Sequence, residues 1–302
     1  MNRSSFAARL HAAMAARSSR VCLGLDPRPE LLEHTHPDAH GGSLTRVAAA
    51  VAEHLTALLD ATHDVVACCK PQSAFFEALG TAGMEALARV VAHARSLDLP
   101  VIVDAKRGDI GSTAEAYAAA FVADGGPFSG DALTVNPFLG FDSLEPLAHS
   151  ARATGRGLFV LVKTSNPGSK DFQELRLASG RPVYLHLAEL VDAANRSHAL
   201  DEHGYGALGA VVGATNRRQE VRELRAALKS SVLLVPGYGA QGGAAADVVE
   251  AFDSRRLGAV ISSSRTLNYP PAADGSLATN VRAARAAAIE MRDEIERALD
   301  AA

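Results

Sequence analysis

Val103 to Ala118 reads VDAKRGDIGSTAEAYA, and Asp104, Lys106 and Asp109 fall within six residues of one another. The stretch opens as the end of an apolar strand, Val101-Ile102-Val103, and closes as a helix. Asp104 and Lys106 stand two apart on that strand, so their side chains leave from the same face. Gly111-Ser112-Thr113 supplies small and hydroxyl residues where the chain turns into the helix. An acid and a base leaving one face of an apolar strand predict chemistry at the C-terminal end of a barrel strand.

Outward from this stretch the same unit recurs. Apolar β-type runs occupy 21–25, 65–69, 101–103, 132–135, 158–162, 207–212, 232–235 and 259–261. Alanine-rich helical patterns fall at 43–60, 81–97, 112–123, 141–154, 182–199, 216–229, 241–252 and 279–300. Strands alternating with helices predict parallel β/α units. Eight of each at this length predict a TIM (β/α)8 barrel rather than an open sheet. The runs are nearly all apolar, as strands buried on both faces must be. No linker or low-complexity tract interrupts the alternation, so 1–302 reads as one domain, with barrel strands in 21–265 and a closing helix in 279–302. In that helix Val281, Ala284, Ala288, Met291, Ile295 and Leu299 share one side, enough to dock on the barrel. The segment after the fifth strand, 166–181, is long and reads as a lid.

Residues 1–20 carry Arg3, Arg9, Arg17 and Arg20, several serines and no acid, a composition similar to a transit peptide. Phe6, Leu10 and Met14 nevertheless recur every fourth residue, and strand begins at once at Val21, which predicts a helix covering the barrel floor. With 30 basic and 34 acidic residues the formal charge is −4, which leaves no basic footprint for nucleic acid. Cys22, Cys68 and Cys69 lie in apolar runs without CxxC spacing and read as buried thiols of a reducing, cytoplasmic compartment. No uncharged apolar run reaches the length of a membrane span. His34, His36 and His40 with Asp38 have irregular spacing among Pro37, Gly41 and Gly42, and read as a solvated loop rather than a metal site.

Chemistry in a TIM barrel belongs at the C-terminal strand ends. Those ends carry Asp26, Lys70, Asp104 with Lys106, Asn136, Lys163 to Ser165, Thr215 with Asn216, Gly237 to Gly243, and Ser262 to Arg265. The last two read as a phosphate site. PGYGAQGG at 236–243 lets backbone N–H groups approach an anion, and Ser262-Ser263-Ser264-Arg265 adds hydroxyls and a bidentate guanidinium. Lys70 ends the second strand beside Asp104 and Lys106 on the third. Alternating carboxylates and ammoniums there form an array able to stabilise developing negative charge.

The segment DAKRGDIGSTAEAYA resembles the active-site signature of the orotidine 5′-phosphate decarboxylase family, Asp-x-Lys-x-x-Asp with a threonine four residues later. The form DAKRGD resembles its divergent bacterial type 2 branch. The likeness runs through CLGLDPRP, CCKPQSAFFE, TVNPFLGFDSLEP, LVKTSNPGSKDFQ, PGYGAQGG and ISSSR, in order. One departure is Ser264 before Arg265, where many members have glycine. The resemblance implies a cofactor-free and metal-free lyase of pyrimidine synthesis that converts orotidine 5′-monophosphate (OMP) to UMP and CO₂. By resemblance, Asp104 would lie against the substrate carboxylate, and Lys106 would stabilise and then protonate the C6 carbanion. Lys70 would orient Asp104, and Asp26 would hold a ribose hydroxyl. Ser165, beside Pro167, would read the pyrimidine amide edge, while Gln241 and Arg265 would grip the phosphate. Asp109 and Thr113 would reach the neighbouring active site of a homodimer. The residues leave three other readings open: a Schiff-base aldolase using Lys163, a metal-dependent sugar-phosphate decarboxylase with the same Asp-x-Lys-x-x-Asp pattern, and a nucleotide-binding module without turnover.

Overall fold

The computed structural model describes residues 4–32, 35–37, 41–213, 218–237, 245–270 and 275–302. Eight parallel strands appear: β1 (Val21–Leu25), β2 (Cys68–Pro71), β3 (Ile102–Arg107), β4 (Ala132–Val135), β5 (Gly157–Lys163), β6 (Leu208–Val212), β7 (Leu233–Pro236) and β8 (Ala259–Ser263). Their order is β2-β1-β8-β7-β6-β5-β4-β3, and the bridges Cys69↔Val101 and Gln72↔Asp104 join the two ends. The sheet is therefore a TIM barrel.

The helices are α1 (Phe6–Arg17), α2 (Leu44–Thr62), α3 (Ser73–Glu77), α4 (Gly80–Ser96), α5 (Gly111–Phe121), α6 (Glu145–Thr154), α7 (Val183–Arg196), α8 (Arg218–Ala227), α9 (Ala245–Val248), α10 (Arg265–Asn268) and α11 (Leu277–Asp300). The short α3 and α10 were not visible as periodic patterns, because four or five residues are too few to show one. α9 is a single turn that continues as a 3₁₀ turn at Val249–Ala251, and the rest of the helix expected from 241 lies outside the described residues. No helix among the described residues is long and apolar enough to cross a membrane.

Strand alternation divides the core in two. Val21, Leu23, Val103, Leu133, Val160, Leu233 and Ile261 face outward into the layer beneath the helices. Cys22, Cys68, Ile102, Ala132, Phe159, Val211, Leu234 and Val260 face inward and fill the barrel. All three cysteines are buried as free thiols. The inward column is thus apolar at the bottom, and the next inward positions above it are Gly24, Lys70, Asp104, Thr134 and Ser262. Site and plug are two ends of one column.

α1 closes the bottom. Ser5 caps it through a hydrogen bond from the Ala8 N–H, and Phe6, Leu10 and Met14 join the inward cluster. Phe6 meets Phe159 edge-on at 5.8 Å, and a Cβ at Gly157 would lie 2.6 Å from the Phe6 ring, so only glycine fits there. At the other terminus Ala284, Ala288, Met291, Ile295 and Leu299 form the buried stripe of α11. Removing the ring in Phe6→Ala should lower the unfolding free energy by about 3–5 kcal/mol. Urea unfolding of the variant beside the wild type measures this.

Candidate active site

The C-terminal ends of the strands surround a cavity of about 430 Å³. Asp26, Lys70, Gln72, Asp104, Lys106 and Thr134 line one side of it. Leu161, Val211 and Leu234 give an apolar wall, and Thr164 to Asn166, Gly237 and Ser262 to Arg265 complete the rim.

Asp104 is the hub. Its Oδ2 accepts from Lys70 Nζ at 2.8 Å and from Gln72 Nε2 at 3.0 Å. Its Oδ1 accepts from Lys106 Nζ at 2.6 Å and from Thr134 Oγ1 at 2.9 Å. Four donors occupy the four lone-pair directions of one carboxylate. Burial pushes the Asp104 carboxyl up, but the Lys70 and Lys106 ammoniums override it and hold the group well below the carboxylate range. Burial likewise pulls Lys70 down, and Asp104 with Asp26 raises it above the usual lysine range. Both groups are therefore charged at neutral pH. Lys70 and Asp104 are each 6% exposed, whereas the Lys106 side chain is 44% exposed. Lys106 is the member of the array that opens to a ligand.

The backbone explains how Asp104 and Lys106 converge. Between Val103 and Arg107 β3 advances four residues, while β4 advances two, from Leu133 to Val135. This bulge puts Lys106 in the left-handed region at φ +49°. A non-glycine residue pays about 1–3 kcal/mol for such a conformation. The Lys106 N–H recovers a partner in Thr134 Oγ1 at 2.9 Å, and its ammonium reaches Asp104. Simple alternation predicts the shared face correctly; the bulge that re-aims the pair is an added element.

Several expected residues lie elsewhere. Asp109 caps its own loop, accepting from the Ile110 N–H at 2.8 Å, and Thr113 is exposed on α5; neither lines this cavity. Pro167 starts an exposed 3₁₀ turn and does not line it either. Gln241, Thr215 and Asn216 lie outside the described residues, as do His34, Asp38 and His40. Ser264 has φ −115°, a conformation open to any residue, so its backbone makes no demand for glycine. Arg265 stands at the rim with no carboxylate partner among the described residues.

Lys163 points away from the cavity. A register shift between Leu161 and Lys163 turns it into the outer layer, where it is 2% exposed. There its ammonium donates to Ser169 Oγ at 2.9 Å and Glu174 Oε1 at 3.0 Å. A lysine so placed cannot meet a carbonyl substrate in the cavity, which removes the Schiff-base reading. Sequence reasoning missed Gln72 and Thr134, although each sits two residues past an inward position and the period of the strand would have found both. It also missed Tyr269, for which no periodic signal exists.

A family model described as "Orotidine 5′-phosphate decarboxylase / HUMPS family" matches residues 19–267. The chain belongs to this family. An orotidine 5′-phosphate decarboxylase of Rhodopirellula baltica is 48% identical over 237 residues, 77% of this chain and 78% of the relative. One of Deinococcus radiodurans is 42% identical over 284 residues, 94% of each chain. The solved structure of Leishmania donovani OMP decarboxylase superposes with a TM-score of 0.76 at 34% identity, covering 99% of this chain and 100% of that one. The family resemblance carried by DAKRGD thus extends to the whole barrel.

Asp104→Asn strands the Lys70 ammonium in a buried site, and should cost about 3–5 kcal/mol of stability. The Asp104 carboxyl is depressed below its ordinary value of 3.8, so its contribution is complete above that value and is lost as pH falls toward the folded-state value. The stability gap between wild type and variant should be flat from about pH 5 to 7 and narrow below about pH 4. Urea unfolding across that range measures it.

Proposed function

We propose that this chain decarboxylates OMP to UMP and CO₂, with Lys106 as the residue that stabilises and protonates C6. The observation that carries the reading is Asp104 clamped between Lys70 and Lys106 inside a cavity whose rim holds Arg265. Family membership and relatives named for this activity at 42–48% identity support the enzyme class, a carbon–carbon lyase of pyrimidine nucleotide synthesis.

The chemistry follows from the charges. Breaking the bond between C6 and the carboxylate leaves an electron pair on a vinyl carbon that the pyrimidine ring delocalises poorly. Lys106 is a fixed cation at that carbon, already oriented by Asp104 and needing little reorganisation as charge develops. Its proton then goes to C6, and solvent restores it through the open side of the cavity. Asp104, held ionised, faces the substrate carboxylate with a like charge, and departure of neutral CO₂ removes that repulsion. The apolar wall of Leu161, Val211 and Leu234 keeps the local dielectric low and strengthens each of these terms. Arg265 binds the phosphate, and Ser165 faces the pyrimidine edge. Asp26 takes a ribose hydroxyl: it lines the cavity, and its side chain is 26% exposed. The metal-dependent alternative is disfavoured by the donor set, because Asp104 spends its lone pairs on four protein donors and keeps none for a cation.

Asp109 and Thr113 belong, in this reading, to the active site of a second copy. Both are turned from their own cavity, and the neighbouring rim exposes Ile110, Phe138, Leu139 and Phe172, apolar surface that a dimer would cover.

Purified protein should bleach the absorbance of OMP in the presence of EDTA, and Lys106→Ala should lower the rate by at least about 10²–10³ while still binding UMP. Near-normal turnover by that variant would sink the assignment. Mixing Lys106→Ala with Asp109→Ala tests the shared site. Neither variant should turn over alone, yet the mixture should regain roughly a quarter of the wild-type rate, because half the dimers are mixed and each holds one intact site. A mixture as inactive as its parents would refute the sharing.

A further inference from the structure

The end of β1 is stapled to α10 at three alternate residues. Asn268, fully buried, donates from Nδ2 to the Gly24 carbonyl at 2.5 Å and to the Ser264 carbonyl at 2.8 Å. The Tyr269 hydroxyl donates to the Asp26 carbonyl at 3.3 Å and accepts from the Arg28 N–H at 2.6 Å. Ser264 packs so closely on Gly24 that a Cβ at Gly24 would meet its Oγ at 2.0 Å. The seam therefore leaves little room for a side chain at that position unless the Ser264 hydroxyl moves.

Tyr269 is itself held from two sides. Its N–H donates to the Arg265 carbonyl at 3.0 Å, which ties it to the residue assigned to phosphate. Its ring stacks on His54 of α2, with planes 13° apart and centroids 5.8 Å apart. Burial pushes the Tyr269 phenol up to about 12, so it keeps the proton it donates. Burial pulls His54 down to about 4, so the stacking partner is a neutral ring at physiological pH. The side chain is thus a fixed strut between α2, α10 and the loop after β1.

The loop it braces carries Asp26, which lines the cavity and whose Oδ1 lies 3.9 Å from Lys70 Nζ. We infer that Tyr269, seconded by Asn268, is a positioning residue that fixes the Asp26 carboxylate relative to Arg265. On the reading given above, from which this inference proceeds, ribose acceptor and phosphate grip then act as one rigid piece. A nucleotide anchored by its phosphate finds the acceptor for its ribose hydroxyl already in place, which is preorganisation in the sense of a smaller ordering cost on binding. Nothing in the inference requires Tyr269 to touch the reacting atoms.

The test is Tyr269→Phe, which keeps the stacked ring and deletes only the hydroxyl. Affinities for UMP, 2′-deoxy-UMP and 3′-deoxy-UMP are measured on wild type and variant by calorimetry, with thermal midpoints recorded alongside. Wild type should discriminate against the analogue that lacks the hydroxyl taken by Asp26. The variant should shrink that discrimination by about 3- to 10-fold with a thermal midpoint within a few degrees. In an Asp26→Asn background the same substitution should change discrimination no further. Unchanged discrimination in Tyr269→Phe would overturn the inference, as would an equal loss of affinity for all three nucleotides. Wild-type turnover of OMP is scored separately: its absence would overturn the reading of the site, whereas turnover with unchanged discrimination would overturn only the role of Tyr269.

Discussion

A single carboxylate between two ammoniums sets the terms for this barrel. Removing a charge from water costs several kcal/mol per ion, and such a group is tolerated only when its partners are close and its lone pairs are used. Asp104 meets that condition with four donors drawn from three strand ends, those of β2, β3 and β4. The strands must hold register for all four bonds to form together. The apolar column below must also be tight, since water rising through the barrel would screen the charges above it.

The arginine-rich N-terminus makes sense in this light. Its composition is similar to that of a targeting segment, but its guanidiniums tie α1 and the start of β1 to the barrel floor. Arg9 Nη2 donates to Asp131 at 2.7 Å and Nη1 to the Gly155 carbonyl at 2.9 Å. Arg17 donates to the His63 carbonyl at 2.6 Å, and Arg20 to Glu296 of α11 at 2.5 Å. These partners come from four different elements or loops, so the plug is fastened around its rim while Phe6, Leu10 and Met14 seal the centre.

Much of this was legible in the chain itself. Eight apolar runs with a helical pattern after each point to the barrel, because strands buried on both faces read as continuous Val, Ile, Leu and Ala and eight such units suffice to close a sheet. The polar residue at nearly every strand end marks the rim of the cavity. What stayed hidden shares a cause: it depends on where a strand departs from regular alternation, or on contacts between residues far apart in the chain. The bulge that aims Lys106 and the register shift that turns Lys163 outward are both invisible to a period-two count. One re-aims a lysine that alternation already places on the inward face, and the other takes a lysine out of the cavity. Tyr269 reaches Asp26 across 243 positions, a contact that no local pattern encodes.

The site also closes the barrel that carries it. Seven of the eight neighbouring strand pairs are joined by a ladder, two of them with a register shift, but β2 and β3 meet only through the bridges Cys69↔Val101 and Gln72↔Asp104. Across that thin seam run the side-chain bonds from Lys70 and Gln72 to Asp104. The carboxylate that orients Lys106 is thus also a fastener between the first and last strands of the sheet. Lys106, half exposed and bound to Asp104 from within the same strand, fastens nothing across the seam. The array therefore divides into a half that fastens the sheet, Lys70 with Asp104, and a half that opens to the cavity, Lys106. On the function proposed above, the proton donor then stays open to substrate and solvent while the group that holds it remains locked in the sheet.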